Sequence, residues 1–596
     1  METLTPINVA FYAPMVEQDK NPRAKYDGRI SVNPTPYYLH GYFRTNFPEY
    51  AHLVKWKSSI LRPLSDEDLV TYLVTHDIDI LCSSLYPWTK RHVLSMFVNI
   101  KELYAKHTNK PLKIILGGPS VDADKSDWHG EYPFVDQFVV GQGEKAWAEL
   151  IFDHWGIKPI TVDSANIVHL LKKKTDTIPS EKSYRYEFLR NDIHYSPYQV
   201  CEDMVQELIA DEEGRTDHLM WPYETQRGCP YTCSFCDWNG GESNKTQKRK
   251  NVDFLKDIDM MARNKMYNLY LSDANFGMWD VDLEITERMV MHSKNGHPFK
   301  IPIYNMAKNL NDTAKKILWT IIENDLWKDW IKISAQDPNI EVLKTINRPG
   351  GWDDWRDFGL AIYKEFSVRK GINKIWVEFI TGLPGQTTKT WIDSLDEIYS
   401  NGFLPRTFAF MLLPNAPIGY DQEMRTKYKI KNDLTYNVLE YISTGETIQD
   451  IINNPENIMY EQVIASHTYD EHDLVFMSAS DQLYRLMLSR MAWPGYGFLD
   501  VNWKHLKPIL AKLIETEDFK YVIDKRHENF MKYRVNALES STGKVLLLGD
   551  DMMSIIARNF HIIDESFKET NIPEEIKVRL LSVWDTFKHA TTWLDR

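Results

Sequence analysis

Cysteine is scarce in this chain, with five in 596 residues. A small, odd number argues against a disulfide framework and suits a reducing compartment. Long apolar runs are missing too: none approaches the ~18–20 residues that cross a bilayer. The opening METLTPINVA also lacks the basic-then-apolar layout of a secretory leader. The expectation is a cytoplasmic protein with no membrane partner. Clustered positive charge is equally thin. The nearest thing to a basic block is KTQKRK at 245–250, set against a formal net charge of −14. That balance disfavours a nucleic-acid partner, whose phosphates call for grouped cations. No internal repeat or low-complexity segment is present. Aromatic residues are plentiful, with 19 Trp and 31 Tyr. They suit core packing first and the lining of a pocket for a large planar ligand second. The length implies three or four domains at ~100–200 residues each.

The first 155 residues alternate short apolar runs with helical patterns, as parallel α/β units do. INVAFYAP (7–14), IDILCSSLYPW (78–88), LKIILGGPSV (112–121) and FVDQFVVGQGE (134–144) read as strands running into loops. This predicts a Rossmann-like, doubly wound domain over 1–155, with ligands expected beyond the strand carboxyl ends. Residues 156–215 are polar and read as a linker. From 216 to 420 six further strand-like runs, most followed by helical segments, predict a partial (β/α)6 barrel with its site at the strand carboxyl ends. They are LMWPYET (219–225), MYNLYLSDANFG (266–277), KIPIYNMAKN (300–309), WIKISAQ (330–336), KIWVEFITGLPG (374–385) and TFAFMLLP (407–414). Residues 421–596 read as mainly helical. Ile576, Leu580, Trp584 and Phe587 fall at helical spacing, and AWPGYGF (492–498) reads as a pocket closure or a packed turn.

Three of the five cysteines lie in RGCPYTCSFCDWNGG (227–241), where Cys229, Cys233 and Cys236 form a CxxxCxxC set directly after the first barrel strand. Thiolates are soft ligands for zinc or iron–sulfur clusters. A structural zinc or a fully ligated cluster takes four protein ligands. No fourth is near: Cys82 and Cys201 are distant, and His218 precedes the strand. A three-cysteine set leaves one iron of a four-iron cluster open to a substrate, and a zinc or redox module stands as the alternative.

With Phe235 before the last cysteine, this loop resembles that of the radical S-adenosylmethionine enzymes. The resemblance implies a 4Fe-4S cluster on Cys229, Cys233 and Cys236, and S-adenosyl-L-methionine chelating the open iron. An electron from an external donor would then cleave the sulfonium to a 5′-deoxyadenosyl radical. Further positions match the family pattern for S-adenosylmethionine contacts. Gln336 and Arg348 resemble a pair in which the arginine takes the carboxylate, as a guanidinium fork suits. Glu378 resembles the ribose contact, and Gly382 with Pro384 the backbone edge under the adenine. Phe235 joins this set. The family's GGE signature is not at its usual second strand; GGE occurs instead at 240–242.

A doubly wound domain ahead of such a barrel resembles the cobalamin-binding branch of the family. The resemblance extends over 1–420 and assigns cobalamin contacts to Pro14, Ser83, Ser84, Leu85, Trp88, Gly117, Gly118, Pro119, Gly141, Gly143 and Glu144. The DxHxxG histidine of cobalamin domains is absent after the first strand, so no histidine is expected on cobalt. The methylthiotransferases of transfer RNA, which need three more cysteines in that domain, are disfavoured. The implied activity is a cobalamin-dependent radical methyltransferase acting through the 5′-deoxyadenosyl radical and methylcobalamin on an unactivated carbon of a small-molecule or peptide substrate. The alternatives are a cyclisation, rearrangement or oxidation with the same cofactors, and a non-catalytic iron–sulfur or zinc protein.

Overall fold

Hydrophobic alternation places five short strands of the amino-terminal part in one layer. In the computed structural model these are β1 (Ile7–Phe11), β3 (Val54–Trp56), β4 (Ile80–Ser84), β5 (Lys113–Gly117) and β6 (Gln137–Phe138). The structure describes residues 4–14, 30–86, 89–121, 128–139, 141–157, 194–236, 238, 246–249, 252–303, 306, 308–327, 331–371, 375–413, 416–436, 459–491, 503–533 and scattered positions from 552 to 578. Trp88, the AWPGYGF stretch and the Ile576–Phe587 pattern lie outside them.

The five strands run parallel in the order β3-β1-β4-β5-β6. This is the flavodoxin-type order, in which the strand order reverses between β1 and β4, the switch point beyond whose carboxyl ends such sheets bind ligands. Val9, Ile80, Ile114 and Leu116 are at most 1% exposed, as expected where helices cover both faces of a parallel sheet. The long excursion after β1 returns as β2 (Ile30–Ser31), which pairs not with this sheet but with the first barrel strand, β7 (Leu219–Tyr223). The helix that follows, Thr35–Asn46, starts with Pro36 in its first turn and packs its buried tyrosines at the junction.

The barrel strands are β7, β10 (Asn268–Leu271), β11 (Lys300–Ile303), β12 (Ile331–Gln336), β13 (Ile375–Thr381) and β14 (Leu404–Ala409). They form two parallel groups, β11-β10-β7-β2 and β12-β13-β14. A two-stranded ribbon, β8 (Gln226–Arg227) with β9 (Gln247–Lys248), sits at the cysteine loop. The six runs seen in the sequence are six strands here, although β14 starts at Leu404, three residues before the predicted run. The basic stretch KTQKRK turns inward where it is described: Lys248 pairs with Asp282, and Arg249 is 4% exposed.

One reading is corrected and another is extended. Residues 194–215 are not merely linker, since they form the helices Pro197–Val200 and Glu202–Asp211, with Tyr198 and Val205 buried in the main core. The carboxy-terminal part is mainly helical, with Glu471–Met491, Trp503–Ile514 and Glu517–Tyr533, but it opens with an antiparallel pair, β15 (Lys431–Tyr436) and β16 (Met459–Ala465). β16 bonds to the chain just past β14, through Leu412 N to Glu461 O and Val463 N to Phe410 O. The carboxy-terminal part therefore attaches at the carboxyl end of the barrel.

A buried polar knot holds the turn after β13. The Gln386 side chain accepts from Gly382 N (2.8 Å) and Leu383 N (2.9 Å), and donates to Asp337 Oδ2 (2.7 Å) and Ile380 O (2.8 Å). Burial raises the Asp337 carboxyl to about 6, with Gln386, Asn339 and Ser394 acting against it. That group binds a proton more tightly folded than unfolded, so its contribution is greatest below ~4 and is lost as pH rises towards 6. Gln386→Ala strands two amides and one oxygen of a buried carboxyl, and is expected to cost about 3–5 kcal/mol. Urea unfolding checks this, and a loss under ~1 kcal/mol would contradict it.

Candidate functional site

The cysteine loop is anchored from below before it begins. The Asp273 carboxylate accepts from Thr225 N (2.8 Å), Thr225 Oγ1 (2.8 Å) and Gln226 N (2.9 Å). Burial pushes that carboxyl up to about 7 against those donors. Gly228 then takes φ +84°, which favours glycine, and the loop carries Cys229 and Cys233, both buried, with Cys236 half-buried. It is pinned from above by the loop that bears Arg348. Ser234 N donates to Ile346 O (2.9 Å), Asn347 Nδ2 donates to Thr232 Oγ1 (2.6 Å), and Ile418 N donates to Ser234 O (2.9 Å). None of these bonds uses a sulfur. Phe235 is partly buried and packs against the main core.

The sulfurs sit among donors and cations. Asn275 Nδ2 donates to Cys229 Sγ at 3.1 Å while its Oδ1 accepts from Lys308 N at 3.3 Å. Burial raises the Cys233 thiol, and the Arg348 guanidinium beside it opposes the shift; burial raises Cys236 as well. Thiols kept protonated by burial are deprotonated on binding a metal. Arg348 is 7% exposed, donates through Nη2 to Ser334 O, and leaves Nε buried with no partner. The Lys308 ammonium is lowered to about 8, chiefly by burial and then by Arg348; Lys332 acts the same way, against Glu378. An orphaned guanidinium N–H beside an ammonium is a place prepared for an anion.

Across the barrel mouth, Glu378 pairs with Lys332 (3.3 Å) and accepts from Ser334 Oγ. Burial alone would raise its carboxyl, but Lys332, Ser334 and Lys308 hold it below the usual range. Gln336 ends β12 at φ +70°, beside a register shift in the β12–β13 pairing. A non-glycine residue there is strained, and such strain gathers where a side chain is re-aimed for function. Cys229, Cys233, Cys236, Gln336 and Arg348 thus share the barrel's carboxyl end, and Glu378, midway along β13, lies below them within reach of the Lys308 charge. Lys308 and Asn275 belong with them as contacts. Neither carries a role in the sequence reading; their position just past strands β10 and β11 was the signal available for both.

The turn at Gly382 and Pro384 is engaged elsewhere. Gly382 N is held by Gln386, its O accepts from Tyr469 Oη, and a Cβ there would meet Leu474 Cδ1 and Tyr469 Oη at 3.1 Å. Pro384 O accepts from Thr345 Oγ1. The carboxy-terminal part covers the face that the resemblance gave to adenine.

The Rossmann loops divide in the same way. Ser83 Oγ donates to Tyr12 O (2.6 Å), Leu85 is fully buried in the core, and Glu144 is 2% exposed, so these side chains serve the protein. Gly118, at φ +99°, lies where a Cβ would stand 2.7 Å from Leu85 N, which makes glycine obligatory for chain packing. Pro14 is buried, Ser84 is 8% exposed with Oγ 3.3 Å from Thr35 Oγ1, and Gly117 and Gly143 are half-buried. Pro119 and Gly141 are exposed at the carboxyl edge. Backbone at this edge, rather than polar side chains, faces outward.

The two carboxyl ends meet at Arg227, two residues before Cys229. Its Nη1 lies 2.6 Å from Glu144 Oε1 and donates to Gln142 Oε1 at 3.1 Å, both on the last Rossmann loop. Tyr86, just past β4, is half-buried near Tyr270 and Glu224 of the barrel, and desolvation raises its phenol. Among the described residues no three His, Cys, Asp or Glu side chains converge on a point fit for one metal ion.

Residues 223–398 match the Radical SAM superfamily. The cobalamin-dependent radical SAM methyltransferase TokK of Streptomyces tokunonensis is 28% identical over 351 residues, 58% of this chain and 49% of TokK. The 2-(S-pantetheinyl)-carbapenam-3-carboxylate methyltransferase of Streptantibioticus cattleyicolor is 28% identical over 355 residues, again 58% of this chain and 49% of the relative. The chain spans about half the length of these curated relatives. In fold it is similar to the cobalamin-dependent S-adenosylmethionine radical enzyme OxsB, with a TM-score of 0.53 at 13% identity over 98% of this chain and 83% of OxsB. It is similar also to the radical S-adenosylmethionine methyltransferase TsrM from Kitasatospora setae, with a TM-score of 0.53 at 12% identity over 92% of this chain and 99% of that one. Residues 223–398 thus match the radical S-adenosylmethionine superfamily, and the chain is similar to cobalamin-dependent radical S-adenosylmethionine methyltransferases.

Proposed function

We propose that the protein is a cobalamin-dependent radical S-adenosylmethionine methyltransferase, acting on an unactivated carbon of a small-molecule or peptide substrate. The observation that carries this reading is the Arg227 contact, which turns the carboxyl edge of the Rossmann sheet towards the cysteine loop. Methyl carrier and radical source need to share one pocket, and this junction supports one.

In this reading Cys229, Cys233 and Cys236 would hold the 4Fe-4S cluster, and the Rossmann loops around Ser84, Gly117, Pro119, Gly141 and Gly143 would hold cobalamin. When bound, these groups with S-adenosylmethionine supply reductive cleavage of the sulfonium and a transferable methyl group. The residues of the chain do the rest. Arg348 and Lys308 present cationic donors for the amino-acid carboxylate, with Arg348 Nε unpaired for that purpose. Glu378, kept ionised by its neighbours, accepts from hydroxyl groups. Asn275 donates to the Cys229 sulfur, a contact that tunes reduction of a cluster held there. The electron comes from an external donor. The naming of one relative for a carbapenam carboxylate supports a small-molecule substrate.

Anaerobic reconstitution with iron, sulfide and hydroxocobalamin, followed by turnover with S-adenosylmethionine labelled in its methyl group, tests the reading. A labelled methyl carbon in the product of a candidate carbapenam or peptide supports it. An unlabelled, cyclised or dehydrogenated product would replace methyl transfer by a radical oxidation.

A further inference from the structure

Arg227 is the most heavily engaged side chain at the junction, and neither the cluster nor the S-adenosylmethionine assignment uses it. Besides Glu144 and Gln142, its Nε donates to Glu224 Oε2 at 2.9 Å, and its Cζ stands 4.7 Å from the Tyr38 ring centroid. The exposures of the Arg227, Glu144 and Glu224 side chains are 16%, 3% and 22%. One guanidinium thus joins three segments: the Gly141–Glu144 loop that ends the Rossmann domain, the Thr35–Asn46 helix, and the strand end that leads into Cys229.

The surroundings make this contact directional. A fork bound to two carboxylates and an amide fixes orientation as well as distance, which a point charge does not. Gln142 lies between Gly141, at φ +72° and exposed, and Gly143, so its side-chain contact to Arg227 ties an otherwise glycine-flanked loop to the barrel. On the other side Arg249 donates to the backbone carbonyls of Glu224 and Tyr195, so the main chain at the residue whose carboxylate Arg227 grips is itself held in place. Glu144 opens the Glu144–His154 helix, which transmits its position to the domain core.

Resting on the proposed function above, we infer that Arg227 is a positioning residue whose bonds to Glu144, Gln142 and Glu224 set the spacing between the cysteine loop and the last Rossmann loop, and hence between radical source and methyl carrier. Glu144 acts in this pair rather than as a cobalamin contact.

The test compares Arg227→Gln, Arg227→Lys and Glu144→Gln with the full-length wild-type chain by two readouts. On the unloaded protein, amide hydrogen exchange at 141–146 and 225–228 rises roughly tenfold in Arg227→Gln while β13 stays protected. Arg227→Lys keeps the charge and falls between the two. On protein loaded with cob(II)alamin and with the cluster reduced by one electron to its paramagnetic 1+ state, pulsed electron paramagnetic resonance gives the distance between the two spins. The wild type gives one narrow distribution; Arg227→Gln and Glu144→Gln broaden it at unchanged iron and cobalamin content, and the double variant adds little to either single one, as members of one contact behave. A distribution in Arg227→Gln as narrow as in the wild type overturns the inference. So does an exchange rise spread over the whole chain, which marks general destabilisation. A wild type that binds no cob(II)alamin instead sinks the proposed function, and the exchange readout alone then decides whether Arg227 fixes the two loops.

Discussion

Replacing any one of Cys229, Cys233 or Cys236 with alanine is expected to abolish reductive cleavage of S-adenosylmethionine while leaving the chain folded. The two halves of this expectation rest on different observations. Loss of activity follows from the count: the loop offers three thiols, no fourth cysteine is near, and a four-iron cluster already open at one iron does not survive with two protein ligands. Retention of the fold follows from the bonds that shape the loop. Asp273 fixes its approach, and Ile346, Asn347 and Ile418 fix its middle, through backbone and side-chain groups other than sulfur. Circular dichroism and thermal unfolding should match the wild-type protein without its cluster, whereas iron content and 5′-deoxyadenosine fall to background. A triple variant that still made 5′-deoxyadenosine would remove the cluster from this loop.

The second large effect concerns Arg348. Arg348→Ala is expected to weaken S-adenosylmethionine binding about 10- to 150-fold, the range of a charge-assisted bidentate contact worth ~1.5–3 kcal/mol. Two features favour a loss in that range. The guanidinium is buried with Nε unpaired, so the free protein leaves a polar group unsatisfied that a carboxylate would pair. Lys308 lies near it, and removing one of the two cations leaves the other to hold part of the carboxylate. Arg348→Lys restores charge without the fork and should recover only part of the affinity. Anaerobic titration followed by the electron paramagnetic resonance signal of the reduced cluster measures both variants. Iron content is expected to persist in Arg348→Ala, because the loop is pinned by the backbone of Ile346 and the side chain of Asn347. Wild-type affinity in Arg348→Ala would return that residue to a structural role.

The physical basis of the sequence reading explains where it reached and where it stopped. Parallel strands buried on both faces write continuous apolar runs, and IDILCSS and KIILGG stand out for that reason. Cys229, Cys233 and Cys236 are local in sequence, so their spacing announces them. β2 escaped because two residues carry no periodicity and their partner, β7, lies nearly 190 residues on; only the folded chain shows that the excursion after β1 joins the barrel. β15 and β16 escaped because KNDLTY is polar and lacks the alternation of a half-buried strand. Glu144 matched a ligand-loop pattern, yet its carboxylate answers to an arginine more than 80 residues away. Gly382 matched as well, yet Tyr469 and Leu474 lie over it. In each case a motif located the loop, and long-range packing decided which groups stay free for a ligand.

The account stands most directly on one measurement. Protein reconstituted with cluster and cobalamin is incubated anaerobically with S-adenosylmethionine and a low-potential reductant, and S-adenosylhomocysteine and 5′-deoxyadenosine are quantified together. A radical methyltransferase draws on S-adenosylmethionine both as methyl source and as radical source, so both products are expected from one preparation, with 5′-deoxyadenosine lost in Cys233→Ala. S-adenosylhomocysteine with no 5′-deoxyadenosine above background would contradict the radical step, and 5′-deoxyadenosine with no S-adenosylhomocysteine would contradict methyl transfer.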